Sequence, residues 1–267
     1  MKIWKSSGSY RTRKIRRHRK IGLALGGGAV LGAAHVGALR ALDEQQLTIH
    51  CVAGTSIGAF VGALYAFGKS WQEIDEIARD LTWLQAARLK VTKTGILSNE
   101  QLGKFVRSLL GDVTFAEARI PLAMIATDIG SGERIVLREG DVAEAVMAST
   151  CIPGIFSPVE IDGRMLVDGG ICENVPVSVL PELGAEQTIA VDLIANHSLR
   201  RPENIVEVLI NSFDFALSNA SRTSIEAADL LIAPHLQGYN AIDVKQIPQL
   251  IEQGYADAAQ LLRRSVK

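Results

Sequence analysis

The sequence predicts an α/β fold with a mainly parallel central sheet covered by helices on both faces. Apolar runs of strand length alternate with amphipathic or small-residue stretches of helix length through most of the 267 residues. Hydrophobic residues make up 48% of the chain, which is enough for a large core. Many of the 24 glycines fall in short turns, which fits an α/β enzyme better than a fibrous or disordered chain. No internal repeat or low-complexity linker divides the chain, so residues 21–267 read as one domain preceded by a basic segment, 1–20.

Ile21–Leu25 reads as a strand, followed by the glycine turn Gly26-Gly27-Gly28 and a helix from Ala29 to Gln45. Ile49 to Ala53 is a second apolar strand, and Ile57 to Gly68 a buried helix. Trp71 to Leu84 is amphipathic, residues 85–98 are irregular and basic and read either as a cap over a site or as an ordinary connection, and Asn99 to Leu110 is a helix closed by Gly111. Pro121 to Asp128 is a buried strand, Arg134 to Arg138 a returning strand and Asp141 to Ser149 a helix. Cys151 to Pro158 is a rigid loop with two prolines. Val159 to Ile161 and Arg164 to Val167 form a hairpin around Asp162-Gly163. Thr188 to Leu193 is a strand holding Asp192. Helix from Asn204 to Ala227, strand from Leu230 to Ala233 and helix from Ile247 to Arg264 complete the chain.

Charge separates the first segment from the rest. Residues 1–20 hold nine of the 28 Lys and Arg and no acid, leaving 19 basic against 29 acidic groups in the remainder. A flexible basic terminus is expected, able to make peripheral contact with an anionic membrane. Nucleic acid is not expected as a partner, and oligomeric state is not legible. Ile21 to Leu39 would pass as a membrane anchor or export signal, with His35 its one ionisable group. Its six glycines are poor helix material, so a strand, turn and helix are the better reading, and a cytoplasmic protein, peripheral to a membrane at most, is expected. Cys51, Cys151 and Cys172 are too few for a disulfide framework and read as buried thiols. No ligand spacing suggests a metal, and no cofactor is implied.

The glycine turn fails as a dinucleotide fingerprint, because Gly26-x-Gly28 is followed by Leu31 where the third glycine belongs. The acid expected near the end of the second strand is also missing. The turn does suit an oxyanion site, with backbone N–H groups aimed at one anion at a helix start. Gly54-Thr55-Ser56-Ile57-Gly58 follows a strand and opens a helix, which is the setting of a nucleophile elbow. The glycines are expected to supply unusual backbone angles and room for substrate and the next helix. Asp168-Gly169-Gly170 follows the second hairpin strand and reads either as a turn or as a placed carboxylate.

Taken in order, these features resemble the patatin-like phospholipases. The likeness extends through Gly32-Ala-Ala-His35, Ala126-Thr-Asp128, Ala148-Ser149, Ile152-Pro-Gly154, Asn174-Val-Pro176 and Ala190-Val-Asp192. It implies a three-layer α/β/α patatin-like fold and a serine lipid acyl hydrolase acting on a lipid or ester without a cofactor. Carried over residue by residue, Ser56 is the nucleophile and Asp168 the proton acceptor. Backbone N–H groups around Gly27, Gly28 and Ala29 form the oxyanion hole, and Gly54, Gly58, Gly169 and Gly170 complete the motifs. A carboxylate base of ordinary pKa is weak at neutral pH, so partial burial of Asp168 beside Ser56 is expected. The sequence departs from the family at Leu31, where a Lys or Arg is usual. Ala29 stands where glycine is common, so its backbone is expected to avoid positive φ. Two alternatives remain: a Ser-His-Asp esterase using His235 or His197, and a catalytically weak lipid-binding protein of the same fold. His35, just past the glycine turn, reads as structural.

Overall fold

The computed structural model describes residues 13–80, 95–97, 99–196, 201–202 and 205–267. Ten strands are named among them: β1 (Ile21–Leu25), β2 (Ile49–Thr55), β3 (Gly95–Leu97), β4 (Leu122–Asp128), β5 (Arg134–Leu137), β6 (Gly154–Phe156), β7 (Val159–Ile161), β8 (Arg164–Asp168), β9 (Gln187–Val191) and β10 (Leu230–Ile232). The α-helices are α1 (Ala33–Glu44), α2 (Ile57–Ala66), α3 (Trp71–Arg79), α4 (Glu100–Leu110), α5 (Val142–Ser149), α6 (Ile205–Glu226) and α7 (Ile247–Ser265).

The main sheet runs β10-β9-β1-β2-β4-β8-β7, with β5 also paired to β4. The five strands β10, β9, β1, β2 and β4 are mutually parallel, while β5, β8 and β7 add antiparallel pairs. Strict alternation divides the core between the two faces. Leu23, Leu25, Val52 and Met124 face a large cluster with helices α1, α2 and α7. Ala24, Ala53, Ala123 and Ala190 face a second cluster with Val175, Val177, Leu180 and Ile225. Small alanines on that face let an irregular segment, with 3-10 turns, pack where a full helix would otherwise be needed. Helix α1 meets α7 at a close crossing: a Cβ on Gly37 would lie 2.0 Å from the Ile251 carbonyl oxygen, and one on Gly254 2.2 Å from that of Ala34.

Several expected boundaries move. The helix expected from Ala29 begins as a 3-10 turn, Ala29–Gly32, and becomes α-helical only at Ala33. Strand β9 ends at Val191, leaving Asp192 in the following turn, where its carboxylate accepts from the N–H groups of Ile194 and Ala195. The two-proline loop contains β6, paired with β3. Ile21 to Leu39 is a buried strand, turn and helix, and among the described residues no helix is long and apolar enough to cross a membrane. The hairpin β7–β8 forms as expected, with φ 52° at Asp162 and 72° at Gly163.

The described part of the basic segment, residues 13–20, is joined to the body, so the break expected at Lys20 does not fall there. Ile15 is fully buried and bridges Val266 at the end of α7, and the Ile15 N–H donates to the Ser265 carbonyl at 2.8 Å. The Arg16 N–H reaches Gln187 Oε1, and the Lys20 N–H reaches Glu186 Oε2. A backbone with these partners is held along its length. Residues 1–12, the irregular segment 85–94, the last residues expected of the Trp71 helix and His197 lie outside the described residues.

Candidate active site

Strand β2 ends at the C-terminal edge of the sheet and delivers Ser56 before α2. Its backbone has φ 55° and ψ −126°, a sparsely populated conformation for a residue with a side chain, costing about 1–3 kcal/mol. Of the two reasons expected for the flanking glycines, room for the next helix holds and unusual backbone angles do not. Neither has positive φ; instead a Cβ on Gly54 would lie 2.3 Å from the Gly58 carbonyl oxygen, and one on Gly58 2.1 Å from that of Leu25. The first turn of α2 therefore rests directly on strand backbone. The strained serine is also held by its own N–H, which donates to Ser149 Oγ at 2.9 Å, while Ser149 Oγ donates to the Ile125 carbonyl at 2.6 Å.

Strand register brings the second residue to the first. β4 pairs with β2 up to Thr55 opposite Ile125, and with β8 from Asp168 opposite Ala126. β5 occupies β4 from Met124 to Thr127, overlapping both partners. A strand has two edges, so β2 and β8 must share the other one. β8 thus begins to pair where β2 leaves off, and the Asp168 end of one strand meets the Ser56 end of the other. The Asp168 backbone is fixed by its N–H to the Cys151 carbonyl at 2.8 Å and by the Thr127 hydroxyl on its own carbonyl at 3.1 Å.

Asp168 is fully buried, more than the partial burial expected. One carboxylate oxygen accepts from the Gly170 N–H at 2.8 Å, and the other has no close hydrogen-bond partner. Burial pushes its pKa up to about 7, against the smaller opposing pull of the Ser56 hydroxyl and the Gly170 N–H. Serine and carboxylate are near enough to interact without a short hydrogen bond between them, a geometry common in sites awaiting substrate.

The glycine turn abuts the serine: a Cβ on Gly27 would lie 3.1 Å from Ser56 Cβ. The Gly27 N–H is already taken, donating to Asn174 Oδ1 at 2.9 Å, so the expected oxyanion set contracts to Gly28 and Ala29. Their N–H groups have no hydrogen-bond partner among the described residues. Gly28 has φ 155° and Ala29 has φ 50°, so the expectation that Ala29 avoids positive φ is wrong. Adjacent N–H groups left unpaired in such a turn can line a concavity that accepts an anion. The turn is fixed from outside by the Val30 N–H on the Ala241 carbonyl at 2.9 Å. Leu31 is buried in the core and brings no charge to the turn.

His35 supports the turn, as the structural reading expects. Its Nε2 lies 2.8 Å from the Gly26 carbonyl oxygen, an acceptor only, so that nitrogen carries the proton. Burial lowers its pKa to about 4, leaving it neutral. His235 is largely exposed, 3.4 Å from Asp257, and His50 accepts from the Ile21 N–H at the opposite end of β1. Among the described residues no histidine hydrogen-bonds Ser56 or Asp168. Burial drives the Cys151 thiol up to about 12, which makes it an inert neighbour of Asp168. A second buried carboxyl, Asp214 on α6, leaves one oxygen without a hydrogen-bond partner, and burial pushes its pKa up to about 7. It lies one turn before Leu217, whose side chain covers Gly170: a Cβ there would meet Leu217 Cδ2 at 1.9 Å.

Ser149, Asn174 and Asp214 were not singled out from sequence as site residues. The first two lie in family-like segments and so had a signal; nothing in the sequence marked Asp214. Within the described residues there is no group of His, Cys, Asp and Glu side chains that could hold a metal.

A strained serine on a strand–helix elbow, a buried carboxylate and an open pair of backbone N–H groups place this chain in the class of α/β proteins with hydrolase-type serine elbows. Comparison narrows the class: the chain belongs to the patatin-like phospholipase family, whose model matches residues 23–181. An uncharacterized NTE family protein of Mycobacterium tuberculosis is 37% identical over 177 residues, covering 65% of this chain and 49% of that protein. Neuropathy target esterase sws of Drosophila melanogaster is 33% identical over 181 residues, covering 65% of this chain and 13% of that protein. The chain thus spans about half the length of the mycobacterial relative, at 49%. Among solved structures, VipD from Legionella pneumophila superposes with a TM-score of 0.58 at 13% identity, covering 98% of this chain and 72% of that one. Full-length ExoU from Pseudomonas aeruginosa gives 0.53 at 14% identity, covering 95% and 53%. At these identities the two structures speak for the fold alone.

Proposed function

We propose that the protein is a serine lipid acyl hydrolase, of the phospholipase A, lysophospholipase or esterase type, working through a Ser56–Asp168 dyad. The observation that carries this is the end-to-end meeting of β2 and β8, which sets a strained serine beside a buried carboxylate with an unpartnered oxygen. Asp168 takes the Ser56 proton as Oγ bonds to the acyl carbon, and the carbonyl oxygen takes up the charge against the N–H groups of Gly28 and Ala29. Collapse expels the alcohol, which receives the proton from Asp168. Water then attacks the acyl-enzyme, Asp168 takes its proton and returns it to Ser56 Oγ, and the carboxylic acid leaves. A base with pKa about 7 is matched to neutral pH.

Family membership and the esterase and phospholipase names of the relatives support a lipid ester as substrate. Among the described residues nothing favours the histidine alternative, since His235 pairs with Asp257 at the surface, and His197 lies outside them. Peripheral membrane contact belongs to the same reading. Hydrolysis of a panel of phospholipids, lysophospholipids and acylglycerols by wild type, Ser56→Ala and Asp168→Asn, with fluorophosphonate labelling of each, tests the proposal. Labelling that persists in Ser56→Ala would overturn it.

A further inference from the structure

Among the described residues six large hydrophobic side chains are exposed: Ile129, Met165, Ile205, Val208, Phe215 and Ile242. Single exposed apolar residues are ordinary on a soluble protein. Their distribution here is not. Ile129 follows β4 directly, and its N–H donates to the Met165 carbonyl at 2.9 Å. Ile242 follows β10, beside Ala241, whose carbonyl holds the glycine turn. Ile205 opens α6, the helix that follows β9. Val208 and Phe215 continue its stripe at helical spacing, with Ile205 67% and Phe215 63% exposed. The opposite face of α6 carries Leu217 onto Gly170. Five of the six lie on segments leaving the C-terminal ends of the parallel strands, the end where Ser56 and Asp168 meet, and Met165, on the antiparallel β8, is tied to them by its bond with Ile129. From β10 to β4 that rim spans about 20 Å of sheet, with the site between its sides.

We propose that this rim is the face by which the protein docks on a lipid bilayer of no net charge. The proposal rests on the reading that the substrate is a lipid. Apolar side chains scattered on several sides of a mouth match a flat fluid surface that takes each one separately; a protein partner would call for one contiguous patch. Among the described residues, charge at the rim is offset where Arg164 pairs with Glu133 at 2.7 Å and Asp128 at 3.5 Å. The body as a whole is acidic, with 29 Asp and Glu against the 19 Lys and Arg outside the basic segment, so an anionic surface gains nothing there. The described basic residues 13–20 lie at the N-terminal ends of the strands, beside Glu186, Gln187 and Asp229. A membrane that meets the mouth does not meet them.

The test is sedimentation of the full chain carrying Ser56→Ala with phosphatidylcholine vesicles, and with vesicles in which part of the lipid is phosphatidylserine. The expected result is binding to both, at least about tenfold weaker when Ile205→Ser, Val208→Ser and Phe215→Ser are added. With Ser56 intact, the triple variant is expected to hydrolyse a dissolved short-chain ester within about twofold of wild type, because none of these side chains touches the reacting atoms. Binding is read without turnover, so failure of the hydrolase reading and failure of this one are separable. Binding that requires phosphatidylserine, disappears on deletion of residues 1–12 and ignores the triple variant would overturn the proposal. So would self-association of the chain that the triple variant abolishes, with no vesicle binding. Should the triple variant not fold, Phe215→Trp read with brominated phosphatidylcholine decides: quenching beyond that of wild type supports docking, and none refutes it.

Discussion

The two ends of the sheet are built on opposite terms. At the N-terminal ends of the strands, polar groups find partners: Arg13 pairs with Asp229, whose other oxygen accepts from the Thr188 N–H, and Glu186 meets Lys20 and Arg19. At the C-terminal ends, requirements are left open. Among the described residues, Ser56 is strained, Asp168 keeps one oxygen unpartnered, two N–H groups at the glycine turn have no acceptor, and apolar side chains face outward. Such a contrast is what a site that reserves interactions for a ligand would show, as the proposed function requires.

The comparison breaks most visibly at Ser56. Ser56→Ala is expected to lower kcat/KM for a soluble ester by about 10⁴ or more, with the melting temperature unchanged or raised, since alanine keeps the backbone but loses the nucleophile. Steady-state kinetics and calorimetry check both halves. Unchanged hydrolysis would move the chemistry elsewhere.

Asp168→Asn comes next, at about 10³–10⁴ in kcat. It carries a second signature that a merely structural residue would lack. The folded pKa of Asp168, about 7, lies above its ordinary 3.8, so the folded state binds the proton more tightly. The stability due to this group is full below about pH 4 and is lost as pH rises through about 7. Asp168→Asn removes that penalty and is expected to stabilise the protein at pH 8 by at most about 4 kcal/mol, with little gain at pH 4. If Asp168 is the base, the same ionisation is expected to give kcat/KM of the wild type an acid limb near pH 7, checked by a pH–rate profile. Asp214 has the same direction of shift, from burial alone. Asp214→Asn is expected to stabilise at pH 8 while leaving soluble-ester hydrolysis within about tenfold, separating burial from chemistry.

Smaller effects sharpen the contrast. Ser149→Ala leaves the Ser56 N–H buried without its acceptor and is expected to cost about 1–3 kcal/mol in chemical denaturation, with a fall in kcat as the elbow loosens. At the other end, Arg13→Ala removes an exposed pair and is expected to change stability by less than about 1 kcal/mol and activity not at all. A larger effect there would show that the basic segment supports the site through the sheet.

The Gly-x-Ser-x-Gly elbow, the glycine turn, the hairpin and the strand–helix alternation were all legible, because each depends on neighbours in the chain and on short-range sterics. Helix limits were less legible at Ala29, where the tight turn delays α1 to Ala33. Of the three N–H groups expected at the oxyanion site, that of Gly27 has another acceptor. Nothing local says that Asn174, 147 residues away, takes the Gly27 N–H. Ala29 was misjudged for a related reason: an isolated alanine avoids positive φ, but a turn held by Ala241 and packed on Ser56 imposes it.

By itself, then, the sequence determined the class of fold, the elbow with Ser56 and the candidacy of Asp168, since hydrophobic period and motif chemistry are written residue by residue. Only the tertiary structure decided how these meet. β8 takes up the edge of β4 that β2 vacates, burial lifts the pKa of Asp168 to about 7, and Gly28 and Ala29 keep the N–H groups that Gly27 does not. Pairing edge, desolvation and competition for hydrogen bonds are properties of groups distant in the chain, and they take values only when the chain is folded.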